Sequence, residues 1–482
     1  MGVPVLVGVD LGTSGVKVVA LGLDGVVHAE AAREYPVRSP APGQAETRPE
    51  DWWDAVVAAL GEVLSSGALE VAGVGLDGQM HGLVLADEDG SPVRPALLWA
   101  DSRATSEVSA WEQLPDPLRH RLANPLSPGM AGPLLLWVRR NEPAAYERAR
   151  AALLPKDWLR HRLTGGAFAT DPSDASATLL WDVPGDGWAE DVVTGVGLDA
   201  ALLPPVRPSG ERAGGLSGGG LSGVDAGVPV AVGAADTAAA LLATGLTDPG
   251  DLQISVGTGA QIVRPVHDPV VTPHPRTHLY RSAAEDSRWY AMAAVQNAGL
   301  ALGWARRVLG LSWEELYAAA DGPPGAGGVT FVPYLTGERS PVLNAQARGA
   351  WLGLDLASDR ASLAQAAVEG VAFAIRHALE ELPSVPGAPL EHARLVGGGI
   401  ATPGFRALLA DVLGIPLRPV GVRSASAVGA AMLAASAAGL PMPPPPVTTD
   451  PVVVPTGRAE QYQGPYRRYR DHAESLAGIR SP

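Results

Sequence analysis

The sequence predicts a duplicated α/β architecture with a central cleft between two halves, and three observations carry that expectation. Two stretches, one at the start and one opening the second half, each show three short apolar strands in meander order, then alternating helix and strand signals. A glycine-threonine turn follows the first strand of each, in Val9-Asp10-Leu11-Gly12-Thr13-Ser14-Gly15 and in Ile254-Ser255-Val256-Gly257-Thr258-Gly259. The length, 482 residues, suits two large domains. The boundary falls near residue 245, dividing the chain into residues 1–245 and 246–482.

In the first half, Val5 to Val9 and Lys17 to Leu21 read as strands, and Asp24-Gly25 turns the chain into a third at Val26 and Val27. Thr47 with Glu50 forms a capping box, Pro49 suits a first helical turn, and Trp53, Val56, Val57, Leu60 and Leu64 recur at helical spacing, predicting a helix over 49–64. Val71 to Leu76 is a strand that stops before Asp77-Gly78, and Val228 to Val232 is a strand leading through Asp236 into a helix of small residues.

The second half repeats the plan. Leu252 to Val256, Gln261 to Val266 and Trp289 to Val295 are strands, and Asn297 to Leu309 is a helix. Val329 to Pro333 is a fourth strand, Ser358 to Leu382 a long helix, Arg394 to Val396 a strand, Pro403 to Leu413 a helix and Leu417 to Val420 a strand. The uncharged stretch Ser424 to Thr449 is rich in Ala, Gly and Ser and ends in prolines, so it predicts a closely packed helix rather than a membrane span.

Composition narrows the chemistry. Hydrophobic residues at 46% and charged residues at 18% exclude a disordered chain. A net charge of -15 repels nucleic acid and anionic membranes, and no basic leader precedes the first strand, which gives the expectation of a cytoplasmic protein. The absence of Cys removes thiolate metal sites and cysteine nucleophiles. Lysine occurs only at Lys17 and Lys156, neither in a Gly-Lys-Ser/Thr context, so the chain has no P-loop.

Several segments carry functional groups. A carboxylate at a strand end followed by glycines and hydroxyls, as in Asp10 to Gly15, suits a metal-phosphate site, and equally an ordinary hairpin turn. Asp236, at a strand's carboxyl end and a helix start, is either a helix cap or a general base for a hydroxyl nucleophile. Gln79-Met80-His81 between Gly78 and Gly82 offers hydrogen bonds suited to a polyol. Gly397-Gly398-Gly399 is a strand-to-helix turn that could admit a nucleoside or phosphate but lacks the full dinucleotide pattern.

Together these residues resemble the FGGY carbohydrate kinase family, of the two-domain actin-like (ribonuclease H-like) ATPase fold, and within it the branch acting on xylulose. The resemblance spans essentially the whole chain. It includes Asp10 to Lys17, Gln79 to Gly82, Leu154-Pro155-Lys156-Asp157, the Asp236 turn, Ser255 to Gly259, Pro333 to Pro341 and Gly397 to Gly399. It implies ATP and Mg2+ as cofactors and phosphorylation of D-xylulose to D-xylulose 5-phosphate. Asp236 is then the base, Asp10 and Asp236 serve the metal, and Gln79, Met80, His81, Asp236 and Thr237 line the sugar site. Thr13, Ser14, Lys17, Gly257, Thr258, Gly259, Gly398, Gly399 and Thr402 hold the nucleotide. Thr237 stands where xylulokinases often carry Asn, which leaves open a kinase for another ketose or polyol. The resemblance also leaves room for a homodimer. A nucleotide switch of the same fold would have no use for Asp236 beside Gln79 and His81, and retention of both Asp10 and Asp236 argues against a non-catalytic sugar-binding regulator.

Overall fold

The computed structural model describes residues 2–217, 224–284, 288–384, 390–400 and 402–478. Val3–Leu11 (β1), Gly15–Gly22 (β2) and Val27–Glu34 (β3) form the antiparallel meander, Pro49–Val63 (α1) packs on it, and Leu69–Gly78 (β4) returns parallel to β1. After Pro155–Thr164 (α2) and Pro172–Ala175 (α3), Arg212–Gly215 (β5), Pro229–Ala231 (β6) and Ala234–Ala235 (β7) complete a seven-stranded sheet. Its order is β5-β6-β4-β1-β2-β3, with β7 also on β4, and Asp236–Thr244 (α4) follows.

The second half is built the same way. Gln253–Val256 (β8), Ala260–Val266 (β9), His278–Arg281 (β10) and Trp289–Val295 (β11) are antiparallel neighbours, and Gly299–Leu309 (α5) and Arg360–Glu380 (α6) follow. Ala393–Val396 (β12), Pro403–Leu413 (α7), Leu417–Gly421 (β13), Ala425–Ala437 (α8) and Thr448–Thr449 (β14) end the repeat. The sheet runs β10-β11-β9-β8-β12-β13-β14. In both halves the first strand pairs antiparallel with the second and parallel with a later one, which is the duplication the sequence predicts.

Three local expectations need correction. The capping box at Thr47 does not form: Thr47 belongs to a two-residue strand paired with Ala96, its hydroxyl reaches the Pro36 carbonyl, and Arg48 stands at the cap. The helix begins one residue later than a Thr47 cap requires, so Arg48 takes the cap position. The strand expected to end at Leu76 continues to Gly78, because pairing with β1 on one side and β7 on the other holds Asp77-Gly78 extended. The fourth strand of the second half, observed at Thr330–Val332, pairs with Ala350–Leu352 in a separate ribbon; the sheet edge belongs to β10 instead.

The two halves are not packed independently. α8 lies across the first sheet, so close that a Cβ on Gly8 would stand 1.8 Å from the Ala427 carbonyl oxygen and one on Gly75 equally near that of Ala430. Tyr280, Tyr290 and Met292 of the second half join the buried cluster that includes α4 and α8. Among the described residues no helix is long and apolar enough to cross a membrane.

Candidate active site

Three neighbouring strands deliver carboxyl groups to one place. Asp10 and Asp77 are direct partners across β1 and β4, and Asp77 pairs in turn with Ala234, two residues before Asp236. Asp236 is the first residue of α4, where the helix N-terminus favours a negative charge. Its Oδ1 accepts from the Thr237 backbone N–H at 2.5 Å and the Thr237 hydroxyl at 3.2 Å.

Electrostatics separate the three. Burial pushes Asp236 up to about 7, with the Asp10 charge adding to the rise and the Thr237 hydrogen bonds opposing it. Burial also raises Asp10, against the pull of Lys17. Asp77 is raised furthest from the usual carboxylate range, first by burial and then by the charges of Asp10 and Asp236. Sequence reasoning passed over Asp77 because Asp-Gly after an apolar run is also the signal of a turn.

The glycine turn of the first half is held from several sides. Gly12 N–H donates to the Gly15 carbonyl at 3.0 Å, and the Gly12 carbonyl accepts from Gln79 Nε2 at 3.1 Å and the Tyr35 hydroxyl at 2.5 Å. Trp99 Nε1 donates to Thr13 Oγ1 at 2.8 Å. Ser14 and Lys17 are exposed.

A cavity of about 810 Å3 is lined by His81, Trp99, Thr258, Gly259 and Arg339, among others. His81 Nδ1 lies 2.7 Å from the Ala177 carbonyl, so Nδ1 carries the proton and Nε2 remains an acceptor. Burial lowers its pKa to about 4, which keeps the ring neutral. Arg339 stacks 5.1 Å above the Trp99 ring, joining the second half to the first. Of the Gln79-Met80-His81 expectation, only His81 lines the cavity. Gln79 is buried and turned to Gly12, and Met80 is packed in the core, because successive residues leaving β4 point to different sides.

A second cavity, about 890 Å3, is lined by Asp236, Thr237, Ser255, Gln261, Gly397 and Gly398, among others. Ser255 and Gln261 line both cavities, so the two are adjacent at the second glycine turn. Gly257, Thr258, Gly259 and Gly398 thus face open space. Gly399 and Thr402 line neither cavity; the Gly399 carbonyl faces the Tyr317 hydroxyl at 3.5 Å, and Thr402 stands at the start of α7 with its hydroxyl buried and, among the described residues, without a hydrogen-bond partner.

Among the described residues no three carboxylate or imidazole groups converge closely enough to hold a metal ion by themselves. Asp10 and Asp236 are hard oxygen donors of the kind Mg2+ takes, and a cation that keeps most of its waters or phosphate ligands fits such a pair. Asp236 thus lines the cavity that adjoins the His81 cavity at the second glycine turn, whereas Asp10, Thr13, Ser14 and Lys17 line neither cavity.

Residues 5–243 match the FGGY family of carbohydrate kinases, N-terminal domain, and residues 252–438 match the C-terminal domain of the same family. The chain is 34% identical over 441 residues to a xylulose kinase of Escherichia coli (strain K12), covering 90% of each chain. It is 32% identical over 443 residues to a xylulose kinase of Bacillus subtilis (strain 168), covering 90% of this chain and 88% of the relative. Among solved structures, a xyloylose kinase from Brucella ovis superposes with a TM-score of 0.91 at 32% identity, covering 98% of this chain and 99% of that one.

Proposed function

The chain belongs to the FGGY family of carbohydrate kinases, and on that premise we propose that it transfers the γ-phosphoryl group of ATP to D-xylulose, giving ADP and D-xylulose 5-phosphate. The similarity to two xylulose kinases over most of their length supports the choice of sugar. The observation that carries the chemistry is the position of Asp236 at the start of α4, lining the cavity that adjoins the His81 cavity.

In this reading the ketose occupies the His81 cavity and gives a hydroxyl hydrogen bond to His81 Nε2. Asp236 takes the proton from the attacking hydroxyl, a contribution of about 100-fold to 10,000-fold for a well-placed base. The Thr237 hydrogen bonds to Oδ1 leave Oδ2 as the accepting atom. Backbone N–H groups of the turns at Gly12 to Gly15 and Gly257 to Gly259 take the phosphates, with Lys17 adding charge. Gly398 borders the nucleoside. Asp10 and Asp236 would hold Mg2+, which would supply charge neutralisation for the transferring group. Closure of residues 1–245 on 246–482 excludes water as a competing nucleophile. The setting is cytoplasmic, and a homodimer is part of the same reading, checked by the mass in solution.

The test is ADP release across a panel of pentuloses, hexuloses and polyols. D-xylulose is expected to give the highest kcat/KM. Preference for another ketose removes the choice of sugar, and release no faster than with water alone removes the kinase reading.

A further inference from the structure

The turn that carries Asp236 is fastened to a buried ion cluster outside both cavities. Lys156, in α2, is fully buried, with Nζ 2.7 Å from Asp157, 2.9 Å from Asp171 and 3.0 Å from Asp174. It lines neither cavity, so one of the chain's two lysines is committed to this cluster rather than to a ligand. Three carboxylates around a buried ammonium keep it charged against the cost of desolvation.

The cluster reaches the backbone before Asp236 at three points. Asp171 Oδ2 accepts from the Ser173 hydroxyl at 2.5 Å and the Ser209 hydroxyl at 2.8 Å, and Ser173 Oγ accepts the Ala235 N–H at 2.9 Å. The Ser209 carbonyl accepts the Gly233 N–H at 2.9 Å. Arg160, ion-paired with Asp157 at 2.9 Å, donates to the Val232 carbonyl at 3.0 Å. From the other side the turn is wedged against β4. Gly233 has φ +93°, and a Cβ there would meet the Leu76 carbonyl oxygen at 2.5 Å. Val232, Gly233 and Ala235 are therefore each held, and Asp236 is the next residue.

We propose that Ser173 is a positioning residue for phosphoryl transfer. Its hydroxyl couples the Lys156–Asp171 ion pair to the Ala235 backbone and so fixes the direction of the Asp236 carboxylate. This rests on the reading of Asp236 as the base. The Ala235 N–H is the last backbone donor before the base, and in the absence of the Ser173 oxygen it is a buried orphan that rotates to find another partner. A small misdirection of a base lowers the rate without altering how the sugar or nucleotide is held.

The experiment compares wild type, Ser173→Ala, Ser173→Cys and Asp236→Asn, using the panel sugar with the highest ADP release. Steady-state kinetics, calorimetric titration of that sugar and thermal melting are measured for each. Ser173→Ala is expected to lower kcat about tenfold while sugar Kd and ATP KM stay within about twofold, and Ser173→Cys, which keeps a weak hydrogen-bonding group on a somewhat larger atom, is expected to fall between wild type and Ser173→Ala. An unchanged kcat in Ser173→Ala beside an inactive Asp236→Asn overturns the positioning role alone. So does a loss of kcat matched by an equal loss of sugar binding. An active Asp236→Asn overturns the base assignment instead. If Ser173→Ala does not fold, Ser173→Cys supplies the same split between kcat and Kd.

Discussion

Asp10 and Asp77 are in-register partners on adjacent parallel strands, and among the described residues fully buried Asp77 has no hydrogen-bond donor on either carboxyl oxygen. The hydrogen bond open to Asp77 is with Asp10 itself, which requires a proton between the two carboxyls.

Asp77→Asn is therefore expected to stabilise the protein more as pH rises. An unfolded Asp loses its proton near about pH 4, whereas folded Asp77 keeps it well above that. Across that window the folded state binds more protons than the unfolded state, so wild-type stability falls with rising pH. The amide does not titrate. Urea midpoints of the two proteins are expected to differ little at about pH 4 and to diverge by about pH 8.

As the proposed base, Asp236 is expected to give the opposite dependence in activity. A base must be deprotonated, and with a pKa of about 7 in the free enzyme it is lost as pH falls through that value. Sugar kcat/KM is expected to be flat above about pH 8 and to drop about tenfold per pH unit below about pH 6. Asp236→Ala lowers kcat by about 100-fold or more and abolishes this limb, as read by ADP release.

His81 is neutral throughout the working range, since its pKa is about 4. Its contribution to sugar binding is expected to be independent of pH above about 5.5. His81→Ala should raise the sugar KM about tenfold, the worth of a hydrogen bond with its packing, and leave the ATP KM within about twofold.

Trp99→Phe keeps a ring beneath Arg339 but removes the Nε1–H donated to Thr13. The expected result is an ATP KM raised about fivefold, the cost of one neutral hydrogen bond. Initial rates against ATP at saturating sugar check it.

Gly75→Ala tests the seam between halves. A Cβ there would lie 1.8 Å from the Ala430 carbonyl oxygen, a backbone atom that cannot rotate away. The expected loss is about 3 kcal/mol, read as a lowered urea midpoint.

Much of the fold was legible because it is written locally. Strand and helix periodicity placed β1, β2, α6, α7 and β13 within a few residues of their observed bounds. The missed features share one cause. Thr47 fails as a cap because Ala96 pairs with it, Asp77 is a strand residue because β1 and β7 flank it, and Gln79 faces the Gly12 turn because that turn lies on the neighbouring strand. Each depends on a partner distant in sequence.

The sequence by itself determined the two glycine-threonine turns, the duplicated strand order, and Asp10 and Asp236 as the carboxylates at strand ends. Those features follow from side-chain type and spacing within a dozen residues. The tertiary structure alone decided that Asp77 joins them, that α8 from the second half packs on the first sheet, and that Lys156 anchors the Asp236 turn. Its reason is physical: in-register pairing and burial make an ordinary Asp hold its proton and place an isolated lysine at the centre of an ion cluster.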